Sequence, residues 1–129
     1  MDQPLPDLTT VAREFGLRLI VRFGSTATHR ARPDSDQDIA VLARPRLTLA
    51  RAARLVGRLE QALGPPEVDL TLLNDADPLL LYEVARDGVP LYEAEPAAFV
   101  AYRSYAARRF DDADKFRRAT RAWLERRLA

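Results

Sequence analysis

The chain contains no cysteine and one histidine, His29. Disulfides and thiolate metal sites are therefore excluded. Long hydrophobic runs are also missing. The longest, such as Leu79 to Leu81, fall far short of the roughly 20 apolar residues of a membrane-spanning helix. Met1-Asp2-Gln3-Pro4 does not read as a secretion signal, so the chain is read as cytoplasmic, with no membrane partner. Neither sign of charge dominates: 20 Lys and Arg against 19 Asp and Glu leave +1. That balance argues against generic duplex binding, and no direct nucleic-acid partner is expected. Gly-x-x-x-x-Gly-Lys and Gly-x-Gly-x-x-Gly are both absent, so the two commonest nucleotide-binding folds are unsupported. Internal repeats, low-complexity tracts and interdomain linkers are absent too.

What is present is an ordinary globular composition, 47% apolar over 129 residues, enough for one domain with a real core. Asp7 or Thr9 is expected to cap a first helix ending near Gly16. Leu17 to Phe23 alternates as a strand, with Leu17, Leu19, Val21 and Phe23 on one face. A short helix is expected at 25–29, then a loop through Pro33, then a strand from Gln37 to Ala43. Leu47 to Leu63 is an amphipathic helix capped by Thr48 and stopped by Gly64-Pro65-Pro66. Glu67 to Leu73 is a third strand. Asp77-Pro78 starts a helix to Arg86, closed by Gly88. Val89 to Glu93 is an edge strand because Pro90 cannot complete a ladder on both sides. Pro96 opens a long last helix to about Arg127. The expected architecture is α/β (α+β): a small mixed sheet flanked by helices, with a core over about 1–93 and a helical tail over about 96–127, forming a single domain of residues 1–129.

The chemistry is concentrated between Phe23 and Leu42. Gly24-Ser25 ends the first strand, and ten residues later Asp36-Gln37-Asp38 runs into the second. Residues two apart on a strand share a face, so Asp36 and Asp38 project together, while Ile39 and Val41 point the other way. Asp69 alternates with Val68 and Leu70, so it too points away from the apolar side. If the two strands are neighbours, three carboxylates converge. Their repulsion would raise at least one pKa, and a magnesium ion, which takes oxygen ligands at about 2.0–2.1 Å, would relieve it. Two such ions can clamp the attacking and leaving oxygens of a displacement at phosphorus. Gly24 would let the backbone approach a triphosphate. The Ser25 hydroxyl and N–H would bind phosphate oxygens, aided by a helix N-terminus if one starts there. Asp69 would hold one metal and help deprotonate the attacking hydroxyl. Alone, an Asp-x-Asp is an ordinary turn or strand end, and a Gly-Ser pair an ordinary turn. Their joint arrangement with a second acid-bearing strand points to nucleotidyl transfer.

Gly-Ser, ten residues, Asp-x-Asp is also the signature of a known group. On Gly24, Ser25, Asp36 and Asp38 the chain resembles the polymerase-beta-like nucleotidyltransferases, and most closely the minimal nucleotidyltransferase (MNT) antitoxins of the MntA type. The resemblance covers the core to about Tyr92 and a helical tail of the expected length. It implies that Asp36, Asp38 and Asp69 bind two magnesium ions. It also implies that Gly24, Ser25 and Thr26 face ATP, with a cation from Arg30, Arg32 or the tail. Many relatives read Gly-Ser-x-Ala-Arg-Gly where this chain has Thr28 and His29. The implied activity is transfer of AMP from ATP to a tyrosine of a HEPN-domain ribonuclease toxin, silencing it within a hetero-oligomer. The alternatives are an antitoxin that acts by binding alone, and a small-molecule transferase of the aminoglycoside-modifying kind, for whose added substrate domain the chain has little room.

Three features stay outside that reading. His29 is expected to be a solvated loop residue. Tyr102, Tyr105, Phe116 and Trp123 are expected to be core or partner-facing, and Tyr82 core. From Ala101 to Ala129, nine basic residues oppose four acidic ones, a net +5 that leaves −4 on the remainder. This basic face could stay solvated or meet a toxin or phosphate.

Overall fold

The structure, a computed structural model, describes residues 8–24 and 36–128. The Asp7 cap, the short helix at 25–29 and the loop through Pro33 lie outside the described residues, as do Ser25, Thr26, Arg30, Arg32 and His29. Along the chain run α1 (Leu8–Phe15), β1 (Leu17–Phe23), β2 (Gln37–Ala43), α2 (Leu49–Leu63), β3 (Val68–Leu72), a 3-10 turn (Leu73–Asp75), α3 (Pro78–Asp87), β4 (Val89–Glu93) and α4 (Ala98–Leu128). Thr9 falls inside α1, not at its cap.

Local chemistry sets these boundaries. The Thr48 hydroxyl accepts the Arg51 N–H at the start of α2, and the Asp77 carboxylate accepts the Leu80 N–H at the start of α3, with Pro78 in its first turn. Gly64 ends α2 in the left-handed region, at φ 75°.

The sheet order is β3-β2-β1-β4. β2 and β3 are parallel and joined by the α2 crossover, whereas β1 runs antiparallel to both of its neighbours. β4 is an edge strand, as Pro90 requires. Each face of the sheet has its own core. One gathers Val11 and Phe15 of α1, Ile20, Ile39 and Val41 of the sheet, and Leu55 and Leu59 of α2. The other gathers Leu19, Val21 and Ala40, Leu81 and Val84 of α3, and Phe99, Tyr102 and Ala106 of α4.

Two expectations change here. Leu17 packs with Ile20 and α1, not with Leu19, because the β1–β2 register slips between Leu17 and Leu19 and reverses the alternation. The apolar residues of α4 also divide. Phe99 and Tyr102 are buried and the Tyr102 hydroxyl donates to the Leu81 carbonyl at 2.6 Å, but Tyr105, Phe116, Trp123 and Leu124 are exposed. Tyr82 is half-buried, stacked on Phe110 at 4.4 Å.

Candidate active site

The acids meet at one end of the sheet. Asp38, the second residue of β2, pairs in register with Phe23 of β1 on one side and with Asp69 of β3 on the other. Ala40, next but one to Asp38, belongs to the core under α3 and α4, and Ile39 to the opposite core. Asp38 therefore lies on the α3/α4 face, and Asp69, alternating with the buried Val68, lies on the same face. Asp36 is exposed just before the strand, Asp38 is half-buried and Asp69 is exposed.

The electrostatics match this placement. Burial, then the Asp69 charge, then the Asp36 charge push the Asp38 carboxyl above its ordinary range. The other two acids thus both act on Asp38. Among the described residues, none of them enters an ion pair. The convergence is one of strand register and charge, since no three acidic or histidine side chains among the described residues close into a metal-holding cluster.

Gly24 completes the arrangement. It follows the last residue of β1 with φ +71°, and a Cβ built on it would collide with the Asp38 carboxylate. Glycine is required there both for the backbone and for the space above the acid. Cavities of about 570 Å³ run along Phe116, Thr120 and Leu124 of α4 and between Arg44, Asn74 and Tyr105. The acids line neither.

The family model for "Polymerase beta, Nucleotidyltransferase" matches residues 8–97, well over half of the chain. This chain is a polymerase beta-type nucleotidyltransferase. The same fold recurs in solved toxin–antitoxin structures. One, a toxin–antitoxin with AMP-PNP, matches with TM-score 0.72 at 24% identity, covering 98% of this chain and 100% of that one. Another is the tri-AMPylated Shewanella oneidensis HEPN toxin in complex with MNT antitoxin, at TM-score 0.64 and 24% identity over 95% of this chain and 94% of that one. A third, the toxin–antitoxin MntA-HepT, matches at TM-score 0.64 and 24% identity over 95% of each. No curated protein matches the chain.

A nucleotidyltransferase needs a cation beside its acids, and the chemistry of the donors here suits one, while their side chains do not themselves close around it. The available atoms are hard carboxylate oxygens, with no cysteine in the chain, which suits magnesium rather than a softer metal. The raised Asp38 pKa marks a place where positive charge would be stabilising. Asp36, Asp38 and Asp69 are the residues that would hold the ion. When bound, it would neutralise phosphate charge during transfer.

Spacing alone did not single out one residue of this region. Gln37, inside the Asp-x-Asp, is the one buried polar residue among the described residues, 4% exposed. By alternation it shares the core face of Ile39 and Val41, and a polar side chain on such a face must find partners. That was the available signal.

Proposed function

We propose that the protein is the antitoxin of a HEPN/MNT toxin–antitoxin pair. It acts as a magnesium-dependent adenylyltransferase, moving AMP from ATP to a tyrosine of its HEPN-domain toxin. The tyrosine oxygen attacks the α-phosphorus, the new P–O bond forms as the α–β bridge breaks, and pyrophosphate leaves. The phenolic proton passes to a carboxylate, a role this reading gives to Asp69. Asp36, Asp38 and Asp69 hold the metal, while Gly24, Ser25 and Thr26 face the nucleotide, with Arg30 as a phosphate cation.

The observation that carries this reading is the in-register pairing of Asp38 with Asp69 beneath Gly24, inside the matched family region. Likeness over nearly the whole chain to proteins from toxin–antitoxin structures, one with AMP-PNP and one with an AMPylated HEPN toxin, supports the partner and the transferred group.

The test is mass spectrometry of a HEPN-domain protein encoded beside this chain, after incubation with this protein and Mg-ATP. The expected result is addition of AMP on tyrosine, lost with Asp38→Ala. Neutralisation that survives Asp38→Ala, with no added mass, would replace this proposal with binding alone. Unmodified toxin with transfer to a small molecule would replace it with the aminoglycoside-type reading.

A further inference from the structure

Gln37 ties together three elements around the acids. Its Nε2 donates to the carbonyls of Gly64 at 2.7 Å and Pro66 at 2.6 Å, both in the corner between α2 and β3. Its backbone N–H donates to the Glu67 carbonyl at 2.8 Å. Its Oε1 accepts from Arg22 Nη2 of β1 at 3.3 Å. Both amide protons and the amide oxygen are therefore engaged. A flipped amide would set Oε1 against two carbonyls, so the chemistry admits one orientation. The same corner is held from α2, where Glu60 Oε2 accepts the Val68 N–H at 2.9 Å.

This brace sits at the strand end where the acids gather. Asp36 just before β2 and Asp38 on it flank Gln37, Asp69 is one residue beyond the Val68 that pairs with Gln37, and the like charges of Asp38 and Asp69, paired on adjacent strands, repel. The acids and the carboxamide use opposite faces of the same strand end, so Gln37 can fix the spacing without occupying the site.

We propose that Gln37 is the positioning residue of the metal site, holding Asp36 and Asp38 at a set distance from Asp69 through the α2–β3 corner. The inference rests on the nucleotidyltransferase site proposed above. Its consequence is for metal affinity and for the metal dependence of nucleotide binding, not for chemistry at phosphorus.

The test uses the full chain, calorimetric binding of AMP-PNP over a magnesium titration, and Mn²⁺ binding followed by electron paramagnetic resonance. Gln37→Met keeps the volume and removes the hydrogen bonds. Gln37→Glu keeps the shape and turns an oxygen toward the two carbonyls. Both are expected to weaken Mn²⁺ binding about 10-fold or more, the usual cost of losing a group that orients metal ligands. Both should raise the magnesium needed for AMP-PNP binding and leave metal-free nucleotide binding unchanged. In an Asp69→Asn background the Gln37→Met effect on Mn²⁺ should shrink, because there is then no spacing left to hold. Gln37 variants that lose thermal stability yet bind Mn²⁺ as the parent does, or whose loss is undiminished without Asp69, would overturn the proposal. If Gln37→Met does not fold, Gln37→Glu decides by the same two measurements. A parent chain without any magnesium-dependent AMP-PNP binding would instead remove the site reading and this inference together.

Discussion

Asp38 of β2 and Asp69 of β3 face each other across a parallel strand pair, and the charge on Asp69 helps hold the Asp38 proton in place. Replacing Asp69 with asparagine should therefore lower the Asp38 pKa. Asp36→Asn should lower it less, because Asp36 is the smaller of the two charge effects. Burial would still keep the value above ordinary. Carboxyl NMR titration of the metal-free protein reads this directly, and an unmoved Asp38 in Asp69→Asn would show that the two do not interact.

Asp38→Asn should exchange function for stability. The folded carboxyl titrates above its reference value of 3.8, so the folded state binds that proton more tightly than the unfolded state. Stability is thus complete below the unfolded pKa and declines as pH rises through the folded one. At neutral pH the asparagine variant should melt higher, and the gain should vanish below that reference value. Transfer activity should fall on the order of 10³-fold, since metal stabilisation of the reacting phosphate is worth several kcal/mol. Melting curves at acid and neutral pH, with AMP-transfer assays, check both halves.

Two glycines should respond to alanine in opposite directions. Gly24 has φ +71° and no room above it, so Gly24→Ala should cost about 1–3 kcal/mol and displace the Asp38 carboxylate, lowering activity as well. Gly57 lies inside α2, where an added Cβ meets nothing within 4 Å. Gly57→Ala should add about 0.5–1 kcal/mol and leave activity alone. Urea unfolding of the pair provides an internal control.

Tyr102→Phe removes the hydrogen bond to the Leu81 carbonyl that fastens α4 to α3. The expected loss is about 1 kcal/mol, with metal and nucleotide binding unchanged, because the contact belongs to the second core and not to the acids. A matching loss of AMP-PNP affinity would mean that the α3/α4 packing reaches the site.

Much of this was legible in the residue order because it depends on neighbours in the chain. Thr48 and Asp77 announce helix starts through their own side chains, Pro90 marks an edge, and the two-residue spacing of Asp36 and Asp38 places them on one face. What depended on distant segments was not legible. The Leu17 reversal follows a register slip that only pairing with β2 reveals. The partners of Gln37 come from Gly64 and Pro66, almost thirty residues on. The sequence of α4 carries apolar residues to its far end but cannot say how far the body of the protein reaches, so Phe116 and Trp123 resemble Phe99 in sequence and differ from it in burial. For the candidate site, spacing alone put Asp36 and Asp38 on one face, while bringing Asp69 beside them required β2 and β3 to be neighbours, which only the sheet order shows, and the brace beside them had no such signal.

α4 extends for 31 residues, about 46 Å, yet its last buried residue is Ala106 and its stacking partner for Tyr82 is Phe110. A chain ending at Ala113 should retain both cores and melt within a few degrees of the intact protein, as measured by circular dichroism; a collapse of the second core would refute this. The outer stretch is therefore not held by the packing that fixes the domain. Substitutions at Phe116, Trp123 or Leu128 can change what that rod touches while the domain that carries it stays folded and the acids keep their places.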